Sequence, residues 1–201
     1  MSTLPANNNT EKWFTTDEQF NQLYPATIRL LSQKHWTPLN VAKKAANFLA
    51  PESDVKILDI GSGVGKFCLT AAKIRPNAFY YGVEQRKELI DYANKAKKIL
   101  GLKNVTFIHG NVTQIDLRDY HHFYFFNSFY ENLTGTNKID NKIDYSSDLY
   151  NAYNLFLHAQ LAQKLPGTRL VTYHSLEDEI PKNFQLIHEQ LDSKLKYWLK
   201  V

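Results

Sequence analysis

The stretch Val55-Lys56-Ile57-Leu58-Asp59-Ile60-Gly61-Ser62-Gly63-Val64-Gly65 constrains the fold more than any other part of the chain. Its first six residues are mostly aliphatic with an acid near the end, and glycines follow at alternating positions. A short apolar run bounded by glycine reads as a buried parallel strand entering a tight turn. Glycine there permits positive φ and lets a ligand approach the backbone closely. Helical periodicity resumes at Val64, so the turn also presents the free amides of a helix N-terminus. Strand, glycine turn and helix together frame a nucleotide pocket. Two nucleotide turns fail on residues. A dinucleotide turn counted from Gly61 needs its last glycine at 66, which is Lys66. A phosphate loop needs a longer gap and Gly-Lys-Ser/Thr, whereas Gly65-Lys66 is followed by Phe67.

The pattern around that stretch alternates strand and helix. Strands are expected at residues 55–60, 79–84, 104–109, 121–127 and 168–174, with helices at about 64–74 and 86–100 and one more ending at Leu165. Such alternation with right-handed crossovers gives a parallel sheet covered on both faces. The runs 184–190 and 194–201, joined by Leu191-Asp192-Ser193, read as an antiparallel hairpin finishing the sheet. Lys194, Lys196, Trp198 and Lys200 alternate with apolar residues there, so one face of the last strand is expected to be more polar.

Ahead of the first strand, residues 1–10 form a polar tail expected to be disordered. A helix with Thr16 or Asp17 as its cap follows, carrying Phe20, Leu23, Tyr24, Ile28 and Leu31 on one stripe, and Pro25 is placed to kink or split it. In Trp36-Thr37-Pro38, Thr37 suits an N-cap and Pro38 a first helical position. Residues 1–50 therefore read as a tail and helical extension packed on a domain formed by 51–201. The 201 residues, 43% hydrophobic and 22% charged, suit a soluble domain with a full-sized core. The formal charge of +4 leaves nucleic acid possible as a partner without favouring it. Cys68, the single cysteine, suits a reducing compartment. With no apolar run of roughly 20 residues and no signal peptide at Met1–Lys12, a cytoplasmic protein with no membrane partner is expected. No metal site is expected either, because neighbouring His121 and His122 on a strand face opposite sides.

Asp59-Ile60-Gly61-Ser62-Gly63-Val64-Gly65 resembles the first motif of class I, Rossmann-like S-adenosylmethionine-dependent methyltransferases. The resemblance runs roughly from Trp36 to Val201. It implies an α/β three-layer sandwich whose seven-stranded, mostly parallel sheet has order 3-2-1-4-5-7-6, with strand 7 antiparallel and helices on both faces. It also implies S-adenosyl-L-methionine as cofactor. Glu84 resembles the acid that accepts hydrogen bonds from both ribose hydroxyls, with Gln85 beside it. Gly110-Asn111-Val112 resembles the segment bordering the adenine. Gly61, Ser62, Gly63 and Gly65 form the turn, and Asp59 acts on the ammonium or orients the turn. A carboxylate offers a diol two acceptors, and a ligand without phosphate needs no basic clamp. In relatives with a similar Trp-Thr-Pro, that segment closes over the methionine end, which gives Thr37 a second role beside that of an N-cap.

Phe126-Asn127-Ser128-Phe129-Tyr130 ends the fourth strand, where the family makes acceptor contacts. It resembles the Asn/Asp-Pro-Pro-Tyr/Phe motif of amino methyltransferases with both prolines absent. That likeness implies Asn127 and Tyr130 as catalytic, with Asn127 also near the cofactor. The cofactor half is similar to non-SET histone-lysine methyltransferases of the telomeric-silencing-disruptor type. The expected function is thus N-methylation of a protein lysine or other macromolecule. The alternatives are a small-molecule or nucleic-acid methyltransferase, or a non-catalytic cofactor-binding protein. Glu131, beside the following loop, and His174, at the end of the fifth strand, are the other polar groups nearest the expected pocket. The loop at 131–147, which holds Asn-Lys-Ile-Asp twice in tandem, is expected to behave as a lid. Lys87, Lys95, Lys97 and Lys98 read as a solvated helix face.

Overall fold

Alternation along β1 (Lys56–Ile60) divides the core into two layers. Ile57 joins Tyr80, Tyr124 and Val171 in one apolar cluster with α4 (Leu39–Leu49) and α5 (Lys66–Ile74). Leu58 and Ile60 face the opposite cluster, with Phe123, Phe125 and Leu170, covered by Leu157 and Leu161 of α7 (Ser147–Ala162). Each fully buried side chain of this size contributes about 1.5–3 kcal/mol, so both faces of the sheet must be covered. This computed structural model describes residues 10–201, and the expected tail at 1–9 lies outside the described residues.

The seven strands take the order β3-β2-β1-β4-β5-β7-β6. β2 (Phe79–Glu84), β3 (Val105–His109), β4 (His122–Phe125) and β5 (Arg169–Tyr173) join β1 in parallel pairings. β6 (Phe184–Gln190) and β7 (Leu195–Lys200) form the antiparallel hairpin, and β7 pairs antiparallel with β5. Leu191, Asp192 and Ser193 all adopt left-handed backbone to turn that hairpin. Because β1 has β2 on one side and β4 on the other, the chain reverses its winding there, and such a point opens a crevice at the carboxyl edge. The architecture is the one that the motifs imply.

Four local expectations change. The last strand has no open polar face: β7 lies between β5 and β6, and Lys196 and Lys200 are both buried, the former paired with Glu177 at 2.8 Å. α5 begins at Lys66 rather than 64, since Gly65 is left-handed. β4 stops at Phe125 because Asn127, at φ 41°, cannot continue an extended strand, and His174, at φ 59°, likewise ends β5 at Tyr173. The N-terminal helix, by contrast, is split where Pro25 is expected to split it, into α1 (Asp17–Asn21), α2 (Ala26–Arg29) and α3 (Ser32–His35), with Pro25 preceding α2.

Those short helices are held by packing instead of propensity. Phe20, Tyr24, Ile28 and Trp36 form one cluster with Val64, Leu69 and Leu89 from the glycine turn, α5 and α6 (Lys87–Leu100). Thr16 caps α1 by accepting from the Gln19 amide. Thr37 does not cap α4. Its hydroxyl shares a 2.9 Å hydrogen bond with the buried Tyr124 hydroxyl, while Asp17 accepts from the Leu39 amide at 2.9 Å. The N-terminal segment thus closes over the glycine turn, where the Tyr24 hydroxyl donates to the Val64 carbonyl at 2.9 Å.

Candidate active site at the carboxyl edge of the sheet

A cavity of ≈ 660 Å³ opens at the reversal point between β1 and β4. Its walls are the glycine turn, the end of β2, residues 126–131 after β4, the end of β5 and the segment 32–38. The turn is stitched to the neighbouring strand by backbone. The amides of Gly61 and Ser62 both donate to the Val83 carbonyl, at 3.0 and 2.9 Å, and the Gly65 amide donates to Ser62 at 2.8 Å. Gly61 is left-handed at φ 76°, and any Cβ there would overlap Ser128. Gly63, also left-handed, has open space where a Cβ would stand, so its backbone lies bare to the cavity.

Two buried carboxylates face this turn. Glu84 accepts from the Gly63 amide at 3.2 Å through Oε2, and from the Arg86 amide at 2.9 Å through Oε1. Burial raises its pKa, a rise that the Arg86 amide and guanidinium offset only in part. Asp59 accepts a 3.5 Å hydrogen bond from the Cys68 thiol. Burial pushes its pKa up to about 8, with Cys68 lowering it and the Glu84 charge adding to the rise. The Ser62 hydroxyl, also on the cavity wall, is buried and without a hydrogen-bond partner among the described residues. Lys66 lines the cavity as well, yet its ammonium is held by Asp17 and Asn21. Two carboxylates, an orphaned hydroxyl and bare glycine backbone fit a ligand that carries positive charge and a vicinal diol. They do not fit a phosphate, which would meet the carboxylates before any free cation.

Across the cavity, side chains form the wall. Asn127 lines it with an amide that makes no hydrogen bond to the described residues. Hydrogen bonds supply the rigidity that two prolines would give. Ser128 donates its hydroxyl to the Ile60 carbonyl, the Tyr130 amide donates to Asn127 at 3.1 Å, and Asn132 donates its side-chain amide to Phe129 at 2.9 Å. Phe129 is buried against Phe125 and Tyr153, whereas Tyr130 is 49% exposed at the cavity rim. Phe126, Tyr173 and His174 group their rings beside Asn127, with centroids 4.3–5.7 Å apart. Burial lowers the pKa of His174, and Lys194 lowers it further.

The structure brings Thr37, Asp59, Gly61, Ser62, Gly63, Glu84, Gln85, Val112, Asn127 and Tyr130 to one cavity. Gly65 and Asn111 stand outside its lining. Gly65 permits close packing, since a Cβ there would overlap Phe107. The Asn111 amide donates to Gln85 at 3.0 Å and to the Tyr153 hydroxyl at 2.8 Å, while its oxygen caps the turn at Thr113. Arg86, absent from the expected site residues, is a wall residue: it is buried, with its guanidinium among Glu84, Glu131, Asp140 and Tyr145. Apart from Glu84, two residues before it, its partners lie 45–59 residues further along the chain, so no local pattern marks them. Among the described residues, no group of three or more His, Cys, Asp or Glu side chains is disposed to hold a metal ion, and no helix is long and apolar enough to cross a membrane.

Comparison with known proteins agrees with this geometry. A family described as a methyltransferase domain matches residues 51–199. The chain is 41% identical over 69 residues to the release factor glutamine methyltransferase of Buchnera aphidicola, covering 34% of this chain and 25% of that protein. It is 35% identical over 84 residues to a tRNA (guanine-N(7)-)-methyltransferase of Nostoc sp., covering 42% of this chain and 38% of that one. The chain therefore spans well under half the length of these relatives. An RNA methyltransferase from Salinibacter ruber, solved with S-adenosyl-L-homocysteine, superposes with a TM-score of 0.58 at 20% identity, covering 82% of this chain and 93% of that one. That likeness speaks to the fold.

Proposed function

Because the chain belongs to the methyltransferase-domain family and has the class I S-adenosylmethionine-dependent fold, we propose that it transfers a methyl group from S-adenosylmethionine to a nitrogen of a nucleic-acid base, RNA first among the candidates. One observation carries the acceptor class. The exposed Tyr130 ring stands at the cavity rim, three residues from Asn127, whose amide is free to hydrogen-bond an acceptor. An exposed aromatic beside a hydrogen-bonding amide suits a flat heterocycle, which offers a face to stack and an edge to read. The names of the Nostoc and Salinibacter relatives as RNA methyltransferases support the same class. The protein lysine expected from the histone-methyltransferase resemblance has no counterpart among the relatives described above.

S-adenosylmethionine would supply an electrophilic methyl on a sulfonium. This chain's residues would bind and orient. Glu84 would accept from the ribose hydroxyls, Gly61 to Gly63 would lie along the amino-acid portion, and Asp59 would act on its ammonium. Gln85 and Val112 would border the adenine. Thr37, tied to Tyr124, would hold the Trp36 segment over the methionine end. Transfer to nitrogen is an in-line displacement, so the protein's part is alignment and exclusion of water. Asn127 would align the acceptor nitrogen, with Tyr130 stacked on its ring.

The test is to incubate the purified protein with tritiated-methyl cofactor and host lysate, then separate RNA, DNA, protein and small molecules. Label in RNA, at a nitrogen of a base after nuclease digestion, is the expected result. Label confined to protein would overturn the acceptor class and leave the transfer itself standing.

A further inference from the structure

One buried cation sits among three carboxylates beside the cavity. Arg86 stands two residues after the end of β2, and its Nη1 donates to Glu84 at 3.3 Å. The same guanidinium grips Glu131 through two parallel hydrogen bonds of 3.0 and 2.8 Å. It also donates to the Tyr145 hydroxyl at 2.8 Å and faces Asp140 at 3.3 Å. Glu131, Asp140 and Tyr145 all belong to the long connection between β4 and α7. A planar fork with several donors can bridge such partners at once, and a lysine cannot.

That connection forms a strap across the cavity mouth. The Tyr145 hydroxyl donates to the Asp140 carbonyl at 2.7 Å, closing the strap on itself. Lys138 lies over the Tyr145 ring and donates to the Glu131 carbonyl at 2.8 Å. From the other bank, Lys34 of α3 donates to Asn137 at 2.7 Å, and Ile139 packs against the N-terminal helical cluster. The tandem repeat is therefore asymmetric in use. Asn137-Lys138-Ile139-Asp140 supplies each of these inward contacts, while in the second copy Lys142 reaches outward to Glu88 on the surface of α6.

We propose that Arg86 is a positioning residue that joins the ribose-binding carboxylate of Glu84 to the strap 131–145, so that cofactor binding and strap closure favour each other. This rests on the reading of Glu84 as the ribose acceptor. The physical reason is charge. One guanidinium does not balance three carboxylates in a desolvated site, and a ligand of net positive charge relieves the excess. Each acid is also useful only when aimed. Arg86 points Glu84 into the cavity while its other edge holds Glu131 and Asp140.

The test uses the full chain and three variants, Arg86→Gln, Arg86→Lys and Asp140→Asn. Hydrogen exchange across 133–145 is read with and without saturating S-adenosylmethionine, and the dissociation constant is measured from pH 6 to 9. In the unmodified protein the cofactor slows exchange in the strap. In Arg86→Gln that protection is lost and affinity falls about ten- to hundredfold, the scale of hydrogen bonds to charged groups. The groups facing Glu84 are Arg86, the strap acid Glu131 and Asp59 of β1, with Tyr145 and His35 acting through Arg86 and Glu131, while Asp140 faces the far edge of Arg86. Without the guanidinium, Glu84 takes up a proton at higher pH. The affinity of Arg86→Gln therefore drops, as pH is lowered, at a higher pH than that of the unmodified protein. Arg86→Lys restores that pH profile through its charge and leaves the strap unprotected. Asp140→Asn, which keeps the Glu84–Arg86 pair, loses part of the strap protection with no change in the pH profile. Strap protection in Arg86→Gln equal to the unmodified protein's, with unchanged affinity, would overturn the coupling. If Arg86→Gln does not fold, full strap protection in both other variants would do the same. Failure of the unmodified protein to bind the cofactor would instead overturn the reading beneath it.

Discussion

At the ends of β1 and β2 the cavity wall is mostly main chain, whereas at the ends of β4 and β5 it is side chain. On the first side, the amides of Gly61 and Ser62 hang from the Val83 carbonyl, and the Gly63 amide aims Glu84. Glycine is required there by conformation, since Gly61 has positive φ and no room for a Cβ. On the second side, Asn127 and His174 adopt left-handed backbone without being glycine, and their surroundings hold them there. Ser128, Asn132 and the ring group of Phe126, Tyr173 and His174 do that work through side-chain bonds and stacking. A main-chain wall fixes the position of a ligand whose chemistry is constant. A side-chain wall can be rebuilt residue by residue for different acceptors.

Substitutions on the two sides should therefore fail differently. Gly61→Val carries the largest effect, because it combines strain at positive φ with overlap on Ser128. Cofactor affinity is expected to fall more than about a hundredfold, a loss of about 3 kcal/mol or more. Equilibrium dialysis on the folded fraction reads it. Near-normal affinity would mean that the turn does not touch the cofactor. Asn127→Ala should instead leave cofactor affinity within about twofold while kcat falls about ten- to hundredfold, the worth of one well-aimed hydrogen bond in a dry site. A loss of affinity with unchanged kcat would erase the distinction between the two walls. The smallest effect is a pH dependence on the main-chain side. Asp59, with its pKa pushed up to about 8 by burial, is mostly protonated at neutral pH. If its carboxylate meets the cofactor's ammonium, binding releases a proton, and affinity rises with pH until it levels off above about 8. Between pH 7 and 8 the gain is about fivefold. Calorimetry in buffers of different ionisation enthalpy measures the released proton directly, and Asp59→Asn should abolish it.

The same contrast explains what the sequence disclosed. Gly61, Gly63 and Glu84 were legible because their constraint is local, as conformation at a turn or position at the end of a strand. The hairpin turn at 191–193 and the parallel strands were legible for the same reason. Gly65 fits the motif equally well, yet its reason is packing on Phe107, from another strand. Asn111 stands at the right strand end, but Gln85, Thr113 and Tyr153 take up its amide. Thr37 carried the signature of a cap, and a partner 87 residues away claimed its hydroxyl while Asp17 took over the helix amide. Lys196 and Lys200 suggested a polar face that the sheet order covers. Arg86 had no signal, because its meaning depends on acids in the strap. Local rules reached the turn and the strand ends, and tertiary partners decided the rest on both walls.

The central claim is that Gly61 to Gly63, Glu84 and Asp59 hold S-adenosylmethionine. The most direct test is equilibrium dialysis of the folded 201-residue chain against radiolabelled S-adenosylmethionine at pH 8. Saturable binding at one molecule per chain, displaced by S-adenosylhomocysteine and weakened about tenfold or more in Glu84→Gln, is expected. Folded protein that retains no label, or Glu84→Gln binding as tightly as the unmodified chain, would contradict it.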